Sequence, residues 1–120
     1  MLQIRTASGY TKRNPSAAQV RREIAQLQPG GSLVLERVDG ADVEPGGDRY
    51  IQVLMRVGNT YQLEYRDGVH SEHYQTLTVS PDKVMAGFIG WMGGKVEWRE
   101  SFMWNNIGAM FEAPIAKTLG

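Results

Sequence analysis

The chain has no cysteine among its 120 residues. Disulfides, thiolate zinc sites, iron–sulfur clusters and cysteine nucleophiles are therefore excluded. It has no apolar run approaching the roughly eighteen residues of a membrane span. The opening "MLQIRTASGYTKRNP" holds no apolar stretch of signal-peptide length. The expectation is a soluble cytoplasmic protein with no membrane partner. Net charge is zero, and no repeat or low-complexity tract interrupts the chain. Catalytic signatures are missing too. "GFIGWMGG" lacks the Gly-x-Ser-x-Gly elbow. "PGG" and "MGGK" lack the Walker spacing, and no Gly-x-Gly-x-x-Gly stands between a strand and a helix. No cofactor is expected.

What remains is ordinary globular material, with 42% hydrophobic and 22% charged residues. A chain of this length buries about two-thirds of its unfolded surface. It is read as a single domain over 1–120, with 1–13 and 112–120 loosely ordered. "RNPSAAQVRREIAQLQPGG" predicts a helix. Asn14 or Ser16 can cap it, Pro29-Gly30-Gly31 stops it, and Ala17, Val20, Ile24 and Leu27 share one face. Four strands follow: 32–38, 49–57, 60–66 and 72–79. Gly58-Asn59 joins the second and third as a hairpin, and Asp67-Gly68 is a second turn. Ile51, Val53, Met55, Val57, Leu63 and Leu77 predict the core face of an antiparallel meander. "SPDKVMAGFIGWMGG" predicts a second helix capped by Ser80, with Pro81 at its first position. The segment 95–111 reads as a short strand from Val96 to Trp98, then a helical piece through Trp104. The fold class is α+β: a four-stranded antiparallel meander, one helix before it, one after it, and a Trp-rich C-terminal segment. Both helices are expected on the face of Ile51, Val53 and Leu63.

The most polar stretch is "EYRDGVHSEHY", residues 64–74, which holds both histidines. His70 and His73 with Glu72 could form a metal site. However, a spacing of three places two side chains on opposite faces of a strand, so a polar hairpin is the preferred reading and no metal is expected. Glu64 and Glu72 could approach each other for acid–base work, but Arg56 and Arg66 are placed to neutralise them. Residues 1–31 carry Arg5, Lys12, Arg13, Arg21 and Arg22 against Glu23 alone. The rest of the chain holds eight basic and twelve acidic residues. Five basic residues fall short of a dedicated nucleic-acid footprint. Trp91, Trp98 and Trp104 lie within fourteen residues of one another. They read as seals on the core, with Trp104 equally suited to an interface.

The succession "LVLERVDG", "YIQVLM", "YQLEYRDG", "HYQT", a helix ending "GW" and a spaced pair of tryptophans is similar to a group of small actinobacterial proteins. It covers residues 32 to 105. It also resembles immunity proteins of bacterial polymorphic-toxin systems, which are small cytoplasmic α+β proteins with a "YRDG"-like hairpin and late tryptophans. That resemblance implies a protein that neutralises a toxin by binding it, and it carries over no individual residue. The expected function is thus a non-catalytic protein-binding module, immunity or regulatory. The expected contact residues are Tyr50, Gln52, Arg56, Glu64, Arg66, Tyr74 and Trp104. Two alternatives stand beside it. One is a small-molecule binder or enzyme with a pocket between the sheet and the tryptophans, using Trp91, Trp98 and His73. The other is a nucleic-acid accessory using the basic N-terminal segment. Homodimerisation through an edge strand stays open.

Overall fold

The computed structural model describes residues 1–38 and 48–111. The expected loose ordering of 112–120 lies outside the described residues. The order is β1 (Leu2–Thr6), β2 (Thr11–Arg13), α1 (Ala17–Ala25), β3 (Ser32–Arg37), β4 (Asp48–Met55), β5 (Tyr61–Gly68), β6 (His73–Thr78), α2 (Pro81–Met92) and β7 (Asn105–Asn106). Short 3-10 turns occupy His70–Glu72, Glu97–Ser101 and Gly108–Phe111. No helix of the described residues is long and apolar enough to cross a membrane.

The α+β class and the two helices agree with the sequence reading, but the sheet has seven strands rather than four. All pairs are antiparallel, in the order β2-β1-β3-β4-β5-β6-β7. The additions come from segments too short to show a period. Residues 1–13, expected to be loose, form β1 and β2. Ile4 sets opposite Leu35 and is 1% exposed, so its burial ties the N-terminus down. β7 adds only two residues along the outer side of β6. Val96 and Trp98 lie in the approach to and the body of a 3-10 turn, not in a strand.

The helix ends are those the residues dictate. The Ser16 hydroxyl accepts from the Gln19 N–H at 3.1 Å while the Gln19 side chain accepts from the Ser16 N–H at 2.8 Å, a reciprocal capping box. Ser16 is therefore the cap, and Asn14 is not. Ser80 accepts from the Lys83 N–H at 3.1 Å, with Pro81 opening α2. Both helices lie on one face. Val20 and Ile24 of α1, and Val84, Phe88 and Trp91 of α2, join Ile4, Leu33, Leu35, Ile51, Val53, Met55, Tyr61, Leu63 and Tyr65 in a single core. Two expected core residues are displaced. Val57 sits beyond the paired end of β4 and is 90% exposed. Leu77 pairs with Gln62, on the opposite face, and is 54% exposed.

Candidate functional site

The face opposite the helices is read directly from the register. One row across it runs Arg5, Val34, Gln52, Glu64, Gln75; the next runs Gln3, Glu36, Tyr50, Arg66, His73; a third runs Ser32, Leu54, Gln62, Leu77. At its centre is a buried polar cluster. His73 is fully buried and Glu64 nearly so. The His73 Nε2 lies 2.7 Å from the Glu64 Oε1. On the other side of the ring, Arg66 Nε donates to His73 Nδ1 at 3.0 Å, and the Tyr50 hydroxyl lies 3.3 Å from the same nitrogen.

A guanidinium has no acceptor, so this contact sets the tautomer of the ring. Nδ1 must be unprotonated to accept from Arg66. Nε2 then carries the hydrogen that it gives to Glu64. The other Glu64 oxygen accepts from Gln62 Nε2 at 2.7 Å and from Gln75 Nε2 at 3.4 Å. Burial pushes the Glu64 carboxyl up. The hydrogen bonds from Gln62, His73 and Gln75 outweigh it and leave the group below its ordinary value.

The cluster is roofed by a C-terminal strap. Asn105–Asn106 pair with Tyr74 and Gln75. The Ile107 N–H then donates to the His73 carbonyl at 2.9 Å, and Asn106 Nδ2 donates to the Ser71 carbonyl at 3.0 Å. Gly108 follows at a point where a Cβ would stand 2.6 Å from the His70 carbonyl oxygen. That close approach carries the chain around the edge of β6. Phe111 then lies over the cluster, its ring centroid 4.5 Å from that of His73 and 4.5 Å from the Arg66 Cζ.

The expected contact residues divide. Tyr50, Gln52, Glu64 and Arg66 do share the open face, though Glu64 is buried rather than presented. Tyr74 pairs with Tyr65 and so lies on the helix face, stacked on it at 5.0 Å. Its hydroxyl donates to Glu72, and this pushes the phenol up to about 12. Arg56 sits in the β4–β5 turn, where its N–H bonds the Thr60 carbonyl at 2.8 Å. It is four residues along β4 from Gln52, the partner of Glu64, or roughly 13 Å, so it does not neutralise that carboxylate. Trp104 packs on the helix face, edge-on to Tyr65 at 4.8 Å and to Trp98 at 5.9 Å. Its N–H donates to the Arg99 carbonyl at 2.9 Å. The Arg99 guanidinium covers the Tyr65 ring at 4.5 Å.

Neither alternative reading finds its residues assembled. Trp91 and Trp98 are core residues on the helix face, while His73 is on the other side of the sheet. His70 lies exposed in the turn before β6. The basic residues also part. Arg5 and Arg13 flank Gln3 on the open face, with Arg5 paired to Glu36 at 3.0 Å, whereas Arg21 and Arg22 are on the exposed side of α1. The bonds of Gln62 and Gln75 to Glu64 follow from the β5–β6 register, and the place of Phe111 over His73 has no periodic signal in the sequence. No protein family, curated protein or solved structure matches the chain.

Proposed function

We propose that this chain is a non-catalytic protein-binding module that acts through the open face of its sheet, as a cytoplasmic toxin-neutralising immunity or regulatory protein would. One observation carries the reading. Both helices cover the same side, and the other side of the sheet presents Val34, Leu54 and Leu77 among Gln52, Gln62, Gln75 and Arg66. Apolar side chains interspersed with ordered polar ones suit a protein contact. Six strand spacings make the face roughly 29 Å wide. Over five residues of strand it is about 17 Å long, on the order of 500 Å² in projection. Side-chain relief brings the accessible area toward the ~800 Å² per partner of a standard interface. The buried centre serves this reading by holding Arg66 and Tyr50 in fixed positions, which lowers the ordering cost of binding.

The test compares two charge-altered proteins as bait in native lysate. Leu54→Glu with Leu77→Glu alters the open face, and Arg21→Glu with Arg22→Glu alters the outer side of α1. The expected result is a stoichiometric partner kept by the helix variant and lost by the sheet variant. With that partner purified, the sheet variant should bind at least tenfold more weakly, about 1.4 kcal/mol. Retention of the partner by a folded sheet variant overturns the assignment of the surface.

A further inference from the structure

On the helix side of the sheet, a cavity of about 350 Å³ lies between the last turns of α1, the β1–β2 turn and the start of β3. We propose that it is a binding site for a small alkylammonium group, with Glu23 as the counter-charge and Leu27 and Ala7 as the apolar wall along the alkyl chain. Its volume falls in the range of small-molecule sites. Its walls are set before any ligand arrives. The Ala7 N–H donates to the Ser32 carbonyl at 3.2 Å, the Gly9 N–H to the Thr6 carbonyl at 3.0 Å, and the Gly31 N–H to the Gln28 carbonyl at 2.7 Å. Gly30 takes a φ of +87° between α1 and β3, and its N–H donates to the Met55 carbonyl at 2.7 Å. Across the cavity, Thr6 Oγ1 and Ser8 Oγ are hydrogen-bonded at 2.8 Å.

The charge of this cavity has one sign. Among the described residues lining it, Glu23 alone is charged. Glu23 is the one acid of residues 1–31, set among Arg5, Lys12, Arg13, Arg21 and Arg22. Even so, it forms no ion pair among the described residues. Arg5 is spent on Glu36, and Arg22, beside Glu23 in the chain, is exposed and does not line the cavity. Glu23 and Leu27 stand four apart on α1 and so share one of its faces. The cavity lies at the C-terminal end of that helix, where the dipole is negative and cations are stabilised. Ser8 and Ser32 add uncharged oxygens. This set favours a cation and disfavours an anion such as phosphate. A primary ammonium presents three N–H donors and no acceptor. One donor suits the carboxylate, and two suit hydroxyl or carbonyl oxygens. A short alkyl chain then covers the partly exposed Leu27. A free amine and the lysine side chain of another protein offer the same chemistry, and the experiment separates them.

The experiment titrates the full folded chain with n-butylammonium chloride at constant ionic strength and follows backbone amides by two-dimensional NMR. The expected result is a saturable shift of the Ala7, Glu23, Gly31 and Ser32 amides, with half-saturation on the order of 1 mM, which is within reach of so small a ligand. 1-Butanol and sodium butyrate carry a chain of the same length without the positive charge, and each should bind at least tenfold more weakly. Glu23→Gln should weaken n-butylammonium at least tenfold, while Glu36→Gln, on the open face, leaves it unchanged. Nα-acetyl-lysine amide is the second probe. Tighter binding of it than of n-butylammonium supports the site with a lysine side chain as its occupant, and weaker binding supports it with a free amine. Equal affinity for 1-butanol or butyrate overturns the proposal, as does a lack of saturation at tenfold the expected concentration. Neither comparison needs a variant to fold. An unchanged affinity in folded Glu23→Gln overturns it as well. The partner-binding reading concerns the opposite side of the sheet, so either can fail without affecting the other.

Discussion

Replacing Gly90 by alanine sets two physical effects against each other, and the structure decides the winner. Alanine in a helix interior is favoured over glycine by about 1 kcal/mol. A Cβ at Gly90, however, would stand 2.5 Å from Trp98 Cδ1, 2.9 Å from its Cγ and 3.1 Å from its Cβ. Carbon atoms rest about 3.5–4.0 Å apart, so the indole must move by roughly 1 Å. It has little freedom to do so. Its N–H is bonded to the Lys95 carbonyl at 2.8 Å. Its ring is edge-on to Tyr65 at 5.3 Å and to Trp104 at 5.9 Å, and the residue is 8% exposed. Overpacking of this kind costs about 1–3 kcal/mol. The net expectation for Gly90→Ala is a loss of up to about 2 kcal/mol. Gly87, one turn earlier, is the control. Its nearest neighbours would be Trp98 Cε3 at 3.6 Å and Leu63 Cδ2 at 3.7 Å, which are ordinary contacts. Gly87→Ala should therefore gain up to about 1 kcal/mol. At about 4 °C per kcal/mol for a chain of this size, the two variants should melt up to roughly 12 °C apart, on opposite sides of the parent. Thermal and urea unfolding, followed by tryptophan fluorescence, measure this. Equal shifts in the same direction would refute the claim that Trp98 is wedged against Gly90. In the Trp98→Phe background the Gly90→Ala penalty should shrink.

Four further outcomes follow from the same geometry. The Glu64 carboxyl lies below its ordinary value of 4.5 in the fold, so its contribution is full above that value and is lost as pH falls through the folded one. Urea midpoints should decline below pH 4.5, and Glu64→Gln should cost about 1–3 kcal/mol at neutral pH and flatten the decline; an unaltered acid limb would show that another group governs it. Phe111→Ala should speed exchange of the Ile107 amide by at least tenfold, read by hydrogen exchange, because that bond to His73 is in the strap Phe111 anchors; equal protection would mean the strap holds without its aromatic end. The Tyr74 phenol, raised to about 12 by donating to Glu72, contributes stability that is present below the ordinary value of 10.0 and lost as pH rises through about 12. Tyr74→Phe should therefore delete the last phenolate step from an ultraviolet titration. Ser80→Ala removes the α2 cap and should cost about 1 kcal/mol, and a change within error of zero would mean the Lys83 N–H finds another acceptor.

The amino-acid sequence by itself determined the elements whose causes are local. Ser16 with Gln19, and Ser80 with Pro81, are capping chemistry within four residues, and both helices start where those residues stand. Gly58 and Asn59 both take positive φ, which few other residues tolerate, so the β4–β5 hairpin follows from two letters. The alternation of Ile51, Val53 and Met55 against Tyr50, Gln52 and Leu54 assigned two faces to β4, and the core lies on the one expected. What tertiary structure decided is everything that depends on a partner strand. A shift of one residue in pairing moves a whole strand to the other face. The sequence around 72–79 contains no information on which register β5 will choose. The observed one puts Leu77 outward, Tyr74 among the tryptophans and His73 beside Arg66. β1, β2 and β7 are too short to carry a period and exist because β3 and β6 offered unpaired edges. His73 is buried on a face that should be wet because the strap from Asn105 to Phe111 folds over it, a contact between residues 38 positions apart in the chain. Local physics sets where elements begin and end; long-range pairing sets which side chains meet, and the open face with its buried polar cluster is made entirely of such meetings.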